Sequence, residues 1–247
     1  MSNIYYSIIL PAHNEEKRLP AALDKLGAFL RQQSYNAEVV VVENGSSDRT
    51  LEVAQAYQER LPQLRVIHET GRGKGLAVRR GMLEAKGEYR IFCDVDFSMP
   101  VEEINRFIPP ALSKVDIAIA SREAPGAVRY NEPELRHFIG RGFNTLVRWI
   151  ALPGLQDTQC GFKCFSAEVA EKVFPKQTID GWTFDVEVLF AARRMGYKIV
   201  EVAVPWYYNA DSKVRVLKDS YHMFADLINI RLNARRGLYD TAPARPR

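Results

Sequence analysis

The first half of the chain alternates short apolar runs with segments of helical period. Five runs have the length and the β-branched content of strands, at residues 6–11, 37–43, 64–68, 89–94 and 115–121. Between them, residues 19–33 and 49–61 repeat apolar side chains every three to four positions, as amphipathic helices do. This alternation predicts an α/β fold, Rossmann-like, with a mostly parallel sheet and helices on both faces.

The order of elements changes after Ser121. The pattern there predicts a helix near 142–151, a strand at 160–166, a helix near 185–195, a strand at 198–205 and a final amphipathic helix at 215–236. We expect a single domain over residues 1–240, with one half at 1–121 and a second half at 122–240 packed on the same sheet. Residues 241–247 (TAPARPR) are predicted to be a disordered tail.

Two carboxylates, Asp94 and Asp96, end the fourth predicted strand. Side chains two apart in a strand point the same way and lie roughly 6 to 7 Å apart. Their repulsion is on the order of 2 to 3 kcal/mol at an effective dielectric near 20. Mg²⁺ or Mn²⁺ would relieve it and leave coordination positions for phosphate oxygens. Two solvated aspartates of a surface loop are the alternative.

Polar loops follow the other strands at the same edge of the sheet, where ligands bind in such folds. In "ENGSSDRT", Ser46, Ser47 or Asp48 can cap the next helix, whose exposed N–H groups favour anions. In "GRGKG", at 71–75, the glycines allow close backbone approach and Lys74 can place a charge on phosphate. A simple helix cap and a flexible surface loop remain alternatives for these two stretches.

Later motifs add further candidates. Asp157 and Gln159 precede an apolar strand, and Arg122 ends the strand at 115–121 on the ligand side. Asp157 alone is equally consistent with a cap or a solvated loop. Asp185 and Glu187 lie at the start of a predicted helix, where acids suit the helix dipole without any chemistry.

Composition narrows the class of protein. Of 247 residues 47% are hydrophobic, enough for a substantial core, and a net charge of +4 is too small to indicate nucleic acid binding. Three cysteines without metal-ligand spacing predict core thiols in a reducing compartment. No apolar run approaches the ~18 to 20 residues of a membrane-spanning helix. We therefore expect a cytoplasmic location.

Seven segments together resemble a known family. "ILPAHNEE", "ENGSSDRT", "GRGKGLAVRRGM", "DVD", "SR", "DTQCGFK" and "FDVEVL", in this order, are similar to motifs of family 2 inverting glycosyltransferases of the GT-A fold. Within the family the likeness is greatest to the polyprenyl-phosphate sugar transferases, the dolichyl-phosphate β-glucosyltransferases and mannose synthases, over about residues 4–236. The resemblance makes 1–121 the nucleotide-sugar-binding half and 122–240 the acceptor-side half.

The resemblance implies a metal-dependent hexosyltransferase. Glucose from UDP-glucose, or mannose from GDP-mannose, would pass to a polyprenyl phosphate of the dolichyl type, with Mg²⁺ or Mn²⁺ as cofactor. The nucleotide sugar is assigned to Pro11, Ala12, Asn14, Glu15, Glu43, Asp48, Lys74, Asp94 and Gln159, the metal to Asp94 and Asp96, and the acceptor phosphate to Arg122, Arg136, Ser212 and Lys213. We expect Asp96, Asp157 and Arg122 to be the catalytic residues.

Two departures from the family pattern stand out. Glu43 replaces the aspartate of many relatives, and "DVDFS" replaces "DADG" or "DADxQ". The final helix is basic and amphipathic, which suits a peripheral position on an anionic, cytoplasmic membrane face. Docking of that helix on the core explains its pattern equally well.

Two other functions stay open. A phosphate acceptor, with a second pKa near 6, is already ionised and needs no strong base, so Arg122 and Arg136 would serve to position it. A transferase that acts on a sugar hydroxyl would instead need a carboxylate base, for which Asp157 and Asp185 are the candidates. The third possibility is a nucleotide-binding module at a membrane surface that performs no catalysis.

Overall fold

The computed structural model describes residues 4–112, 115–209 and 216–240. In the last range, the burial of side chains is described from residue 222 onward. In these ranges the strands are β1 (Tyr6–Ala12), β2 (Ala37–Asn44), β3 (Leu64–Glu69), β4 (Tyr89–Cys93), β5 (Ile117–Ser121), β6 (Val128–Tyr130), β7 (Phe162–Ser166), β8 (Ile199–Ala203) and β9 (Pro205–Tyr207). The α-helices are α1 (Leu19–Leu30), α2 (Thr50–Ala56), α3 (Lys74–Glu84), α4 (Glu134–Ile150), α5 (Ala167–Val173), α6 (Phe184–Arg194) and α7 (Val216–Arg235). Short 3₁₀ helices lie at Tyr57–Glu59, Val101–Phe107 and Phe174–Lys176.

Seven strands form one sheet in the order β3-β2-β1-β4-β7-β5-β8, and β6 pairs with β9 separately. All neighbours in the large sheet are parallel except β7, which runs antiparallel to both β4 and β5. The predicted mostly parallel α/β sheet is therefore confirmed. Because β7 is reversed, its first residue pairs with the last residue of β4, Phe162 with Cys93.

Helices cover both faces of the sheet because its central strands are apolar on both sides. In β1, Ile8 and Leu10 face α1 and the Val101–Phe107 helix, whereas Ile9 faces α3. This is the two-residue alternation of a strand that is buried on both faces. Cys93, Cys160 and Cys164 are buried free thiols, as predicted.

The structure corrects the bounds of several predicted elements. Helix α4 begins at Glu134, directly after Pro133, about two turns before the predicted start. Proline is tolerated where a helix begins because its missing N–H has no partner there anyway. Helix α3 begins at Lys74, where a flexible surface loop was one alternative.

The final helix α7 docks on the core. Leu227, Ile230 and Ala234 are buried in the same cluster as α6 and α4, so docking accounts for the amphipathic pattern of this helix. Among the described residues, no helix combines the length and apolar character needed to cross a membrane. The predicted tail at 241–247 lies outside the described residues.

Phe165 of β7 tests the aromatic packing of the core. Phe165 is fully buried against Phe92 and Phe174, so Phe165→Ala should lower the free energy of unfolding by about 3 to 5 kcal/mol. The matched control is Phe138→Ala on α4, a side chain that is 77% exposed; it should change stability by less than about 0.5 kcal/mol. Urea unfolding measures the free energy of unfolding of both variants. Equal losses of stability in Phe165→Ala and Phe138→Ala would contradict this expectation.

Candidate active site

One cleft of about 580 Å³ lies along the carboxyl edge of the parallel strands. Its wall includes one residue at or just beyond the carboxyl end of each of β1, β2, β3, β4 and β5: Pro11, Asn44, Gly73, Asp94 and Arg122. This is the edge at which open α/β sheets bind ligands. The second half of the chain closes the cleft through α4, the loop before β7 and the start of α6.

A lysine and two aspartates meet in the cleft. Lys74 Nζ lies 2.5 Å from Asp94 Oδ1, and Asp96 lines the same wall. Burial alone would lower the pKa of Lys74, but the charge of Asp94 raises it, so the ammonium stays charged. Burial, together with the nearby Asp94 charge, raises the pKa of Asp96. The acid pair is therefore only partly neutralised by Lys74.

The close approach around Lys74 depends on Gly73. This residue adopts φ +144°, and a Cβ there would lie 2.3 Å from the carbonyl oxygen of Asp180. The amide of Gly75 donates to that same oxygen at 2.9 Å. Gly73 therefore lets α3 begin against the loop before α6, which directs Lys74 toward Asp94.

The loop at 157–161 joins the acid pair to the arginine side of the cleft. At its end, the Asp94 amide donates to the carbonyl of Gly161 at 3.2 Å, and a Cβ on Gly161 would lie 1.9 Å from Asp94 Oδ2. At its start, Arg122 Nε and Nη2 donate to the two carboxylate oxygens of Asp157 at 2.6 and 2.9 Å. The loop has little freedom to move relative to either group.

Asp157 is fully buried and is not part of the cleft wall. Burial would raise the pKa of Asp157, but the guanidinium of Arg122 holds it well below its usual range. The same pairing raises the pKa of Arg122 above its ordinary value. A carboxylate held ionised by a bidentate partner is a weak proton acceptor. The catalytic role predicted for Asp157 therefore fits positioning of Arg122 better than proton transfer.

A second buried ion pair lies beneath the cleft. Lys163 is fully buried, and its Nζ lies 3.1 Å from Asp185 Oδ2 and 2.6 Å from the carbonyl oxygen of Cys160. The other oxygen of Asp185 accepts from Gln159 Nε2 at 2.7 Å. Gln159 and Asp185 both line the cleft. Lys163 thus positions Asp185, and it was not singled out from the sequence.

The predicted nucleotide-sugar residues divide into two groups. Pro11, Glu15, Lys74, Asp94 and Gln159 line the cleft. The other four, Ala12, Asn14, Glu43 and Asp48, lie outside the cleft wall. Of the predicted metal and acceptor residues, Asp96, Arg122 and Arg136 line the cleft, whereas Ser212 and Lys213 fall outside the described residues.

Residues outside the wall hold its loops. Glu43 is 1% exposed and accepts from the Ser46 amide and from His68 Nδ1, each at 2.6 Å. Burial would raise the pKa of Glu43, but these hydrogen bonds lower it. Asp48 accepts from the Thr50 amide at 3.0 Å, but the N-cap of α2 is Arg49 and no side chain caps this helix end, so the predicted cap is wrong. Asn14 adopts φ +54° and accepts from the Ser47 amide at 2.8 Å.

Sequence reasoning missed the aromatic members of the cleft. Trp182 lies 5.6 Å from Lys74 Nζ, and Trp206 lies 5.3 and 5.7 Å from the guanidinium carbons of Arg122 and Arg129. These are cation–π distances. Both tryptophans stand in short loops or strands near Gly181 and Pro205, and no periodic pattern marks them.

The acid pair fits a divalent cation. Within the described ranges, no group of three or more His, Cys, Asp or Glu side chains is arranged to hold a metal. Asp94 and Asp96 supply two carboxylates, and burial together with the Asp94 charge raises the pKa of Asp96. Mg²⁺ and Mn²⁺ are commonly held by one or two carboxylates, with water and substrate phosphate completing the shell. The residues present therefore suit a metal that arrives with a phosphate ligand.

The chain is similar in sequence to proteins of known family. Residues 7–174 match the family model for glycosyl transferase family 2. Dolichyl-phosphate β-glucosyltransferase of Dictyostelium discoideum is 34% identical over 97% of this chain and 77% of the relative. The enzyme of the same name from Drosophila melanogaster is 36% identical over 91% of this chain and 73% of the relative.

Solved structures share the fold. Glucosyl-3-phosphoglycerate synthase of Mycobacterium tuberculosis, in complex with Mn²⁺, UDP-glucose and phosphoglyceric acid, superposes with a TM-score of 0.64. It is 20% identical and covers 94% of this chain and 80% of its own. Another structure of that protein contains Mg²⁺ and UDP. The predicted GT-A fold is confirmed.

Gly161 offers a test of the acid pair that does not alter a carboxylate. Gly161→Ala would place a methyl group against Asp94 and displace it, so affinity for Mn²⁺ should fall by about tenfold or more. Gly181→Ala is the matched control, because a Cβ there meets nothing within 4 Å. Calorimetric titration measures both variants, and unchanged Mn²⁺ affinity in Gly161→Ala would exclude this arrangement of Asp94.

Asp157→Asn should destabilise the protein by about 3 kcal/mol near pH 7, because it leaves Arg122 buried without its counter-charge. The pKa of Asp157 is lower in the folded than in the unfolded state. Its stabilising effect is therefore complete above the unfolded value of about 3.9 and is lost as the pH falls toward the folded value. The difference between wild type and variant should narrow below about pH 4.

Urea unfolding at several pH values measures this difference. Asp24→Asn is the control, since its ion pair with Arg60 is exposed and should contribute less than about 1 kcal/mol. A difference between wild type and Asp157→Asn that does not change with pH would show that the pair does not stabilise the fold electrostatically.

Proposed function

This chain belongs to glycosyltransferase family 2, and from that premise we propose that it transfers glucose from UDP-glucose to a polyprenyl phosphate of the dolichyl type. The observation that carries the proposal is the single cleft in which Lys74, Asp94 and Asp96 share a wall with Arg122 and Arg136. Carboxylates suit a metal-bound diphosphate, and arginines suit a second phosphate. Transfer from a nucleotide-sugar donor to a phosphorylated acceptor needs both the carboxylates and the arginines.

The donor belongs at the strand edge. Lys74 stays charged beside Asp94 and can move its hydrogen bond from that carboxylate to the diphosphate of the sugar donor. Asp94 and Asp96 would hold Mg²⁺ or Mn²⁺, which when bound supplies Lewis-acid stabilisation of the departing diphosphate. Trp182, beside Lys74, adds an apolar surface that excludes water from this charge.

The acceptor belongs at the arginine side. Arg122 is fixed by Asp157 and stacks on Trp206, and Arg136 lies 5.1 Å from the ring centre of Tyr208. Guanidinium groups held in place bind a phosphate monoester without further ordering. A phosphate oxygen then attacks the anomeric carbon of glucose. The bond from that carbon to the diphosphate breaks with its electron pair, and the configuration inverts.

No general base is needed for this attack, because the phosphate is already ionised near neutral pH. Asp157 is committed to Arg122, and Asp185 accepts from Gln159, Lys163 and the Val186 amide. Neither is placed as a strong base, which weighs against a sugar hydroxyl as acceptor. Family membership weighs against a module that binds nucleotide without turnover.

We place the reaction at a membrane surface, with the chain bound peripherally on the cytoplasmic side. The support is chemical: a polyprenyl phosphate is held in a bilayer, and the buried free thiols suit a reducing compartment. Glucose and UDP follow from the names of the relatives and from the ligands of the solved neighbours. GDP-mannose is the competing donor.

Transfer of labelled sugar tests the proposal. With Mn²⁺ or Mg²⁺ and polyprenyl phosphate, label from UDP-glucose should enter the organic phase, and label from GDP-mannose should not. Asp96→Ala should abolish transfer, because the acid pair loses one of its two carboxylates. Label that reaches only water-soluble saccharides, with a bell-shaped pH profile, would favour a hydroxyl acceptor instead.

Arg136→Ala should weaken binding of the acceptor and leave binding of the donor unchanged. With a short-chain, water-soluble prenyl phosphate, it should raise KM by about tenfold through loss of a charge-assisted hydrogen bond and leave the affinity for UDP-glucose unchanged. Arg141→Ala is the matched control, an exposed arginine of the same helix outside the cleft. Equal KM values for Arg136→Ala and Arg141→Ala would remove Arg136 from the acceptor site.

A further inference from the structure

Helix α4 carries an apolar stripe that is exposed among the described residues. Leu135, Phe138 and Trp149 are 72%, 77% and 84% exposed. At 100° per residue these three side chains, with Ile139, fall within an arc of about 100° on one face of the helix. The opposite face carries the buried residues of α4, Asn144 and Val147. Exposed apolar stripes of this size mark interaction surfaces.

The helix is polar where it borders this stripe. Arg141 and Arg148 lie beyond its Phe138 side, about 60° and 80° further round the helix at 100° per residue. Arg141 is exposed, whereas the Arg148 guanidinium donates to Gln156 and to Thr145 on the same helix at 2.7 and 2.9 Å. An aromatic and aliphatic face with arginine beside it is the pattern of a helix that lies in the interface of an anionic bilayer. Tryptophan is enriched at that depth because its ring is amphipathic.

The same helix forms a wall of the cleft. Arg136, Ile139, Phe143 and Asn144 line it. Asn144 is buried, and among the described residues its Oδ1 has no hydrogen-bond partner. One face of α4 therefore meets the phosphate site while another meets solvent. A lipid whose phosphate occupies the cleft would have its chain leave next to the exposed stripe.

We propose that α4 is the membrane-docking element of this protein, with Leu135, Phe138 and Trp149 inserted into the interface of a bilayer that contains anionic lipids. The proposal rests on the proposed function only for the identity of the lipid in the cleft. It differs from the sequence-based expectation, which assigned the membrane contact to the final helix. A helix of 17 residues lies flat over about 25 Å of surface at 1.5 Å per residue.

The neighbouring helix α7 also has exposed apolar side chains, but they are less exposed than those of α4. Phe224, Ile228 and Leu232 are about two-fifths exposed and recur every four residues, while Leu227 and Ile230 anchor the helix in the core. The more exposed side chains of α4 should therefore dominate binding.

Vesicle binding without any substrate tests the docking element by itself. Wild type should sediment with vesicles of phosphatidylcholine and phosphatidylglycerol, and the total tryptophan emission should shift to the blue as the Trp149 ring leaves water, a shift that the variant without Trp149 should lack. The double variant Phe138→Ser, Trp149→Ser should bind at least about tenfold more weakly. The control is Leu83→Ser on α3, an apolar side chain exposed to 40%, which should bind like wild type.

A second measurement separates this proposal from the proposed function. The double variant should transfer sugar to a short-chain, water-soluble prenyl phosphate at the wild-type rate, and lose activity only on a long-chain acceptor in vesicles. Docking by α4 is overturned if the double variant binds vesicles as tightly as wild type. It is also overturned if wild type stays in the supernatant. Wild type could instead form a dimer without binding vesicles, and the double variant could abolish that dimer. This outcome would assign the stripe to self-association and would also overturn membrane docking by α4. Failure of all transfer with intact vesicle binding would instead refute only the proposed function.

Discussion

The buried pairing of Asp157 with Arg122 is the interaction on which the cleft depends. The carboxylate is fully buried, and both of its oxygens accept from the guanidinium at 2.6 and 2.9 Å. The backbone amides of Gln156 and Asp157 are held in turn by Glu201 of β8 at 2.8 and 2.9 Å. A charge pair buried in this way is strongly destabilising to break, so it fixes the loop at 157–161 whose other end supports Asp94.

Reversal of one strand makes this possible. Since β7 runs antiparallel between β4 and β5, the loop before it, rather than after it, lies at the carboxyl edge of the parallel strands. Gly161 then packs directly on Asp94, and Gln159 reaches Asp185. Charges from both halves of the chain thereby meet in one cleft. In the transfer proposed above, the sites for the leaving diphosphate and for the attacking phosphate would then share this cleft.

Helix α4 connects this frame to the surroundings. Its inner residues line the cleft, whereas its outer residues are the most exposed large apolar side chains of the described chain. The sequence pattern of α4 does not by itself show which face of the helix is buried and which is exposed. Apolar residues at helical spacing are usually core, and only the packing of the rest of the domain shows that Val147 is covered while Phe138 and Trp149 are not.

The sequence by itself determined the seven strands of the large sheet, five of the seven α-helices in the described ranges, the parallel character of that sheet and the edge at which Lys74, Asp94, Asp96 and Arg122 would meet. These features follow from local periodicity and from the geometry of parallel strands. The pair β6 and β9 and the helices α3 and α5 were not predicted. The tertiary structure decided the rest. Which carboxylate lines the cleft and which is a buried partner, as for Asp96 and Asp157, depends on what packs against each oxygen. The roles of Lys163, Trp182 and Trp206 were likewise set by contacts between residues far apart in the chain, which no local pattern encodes.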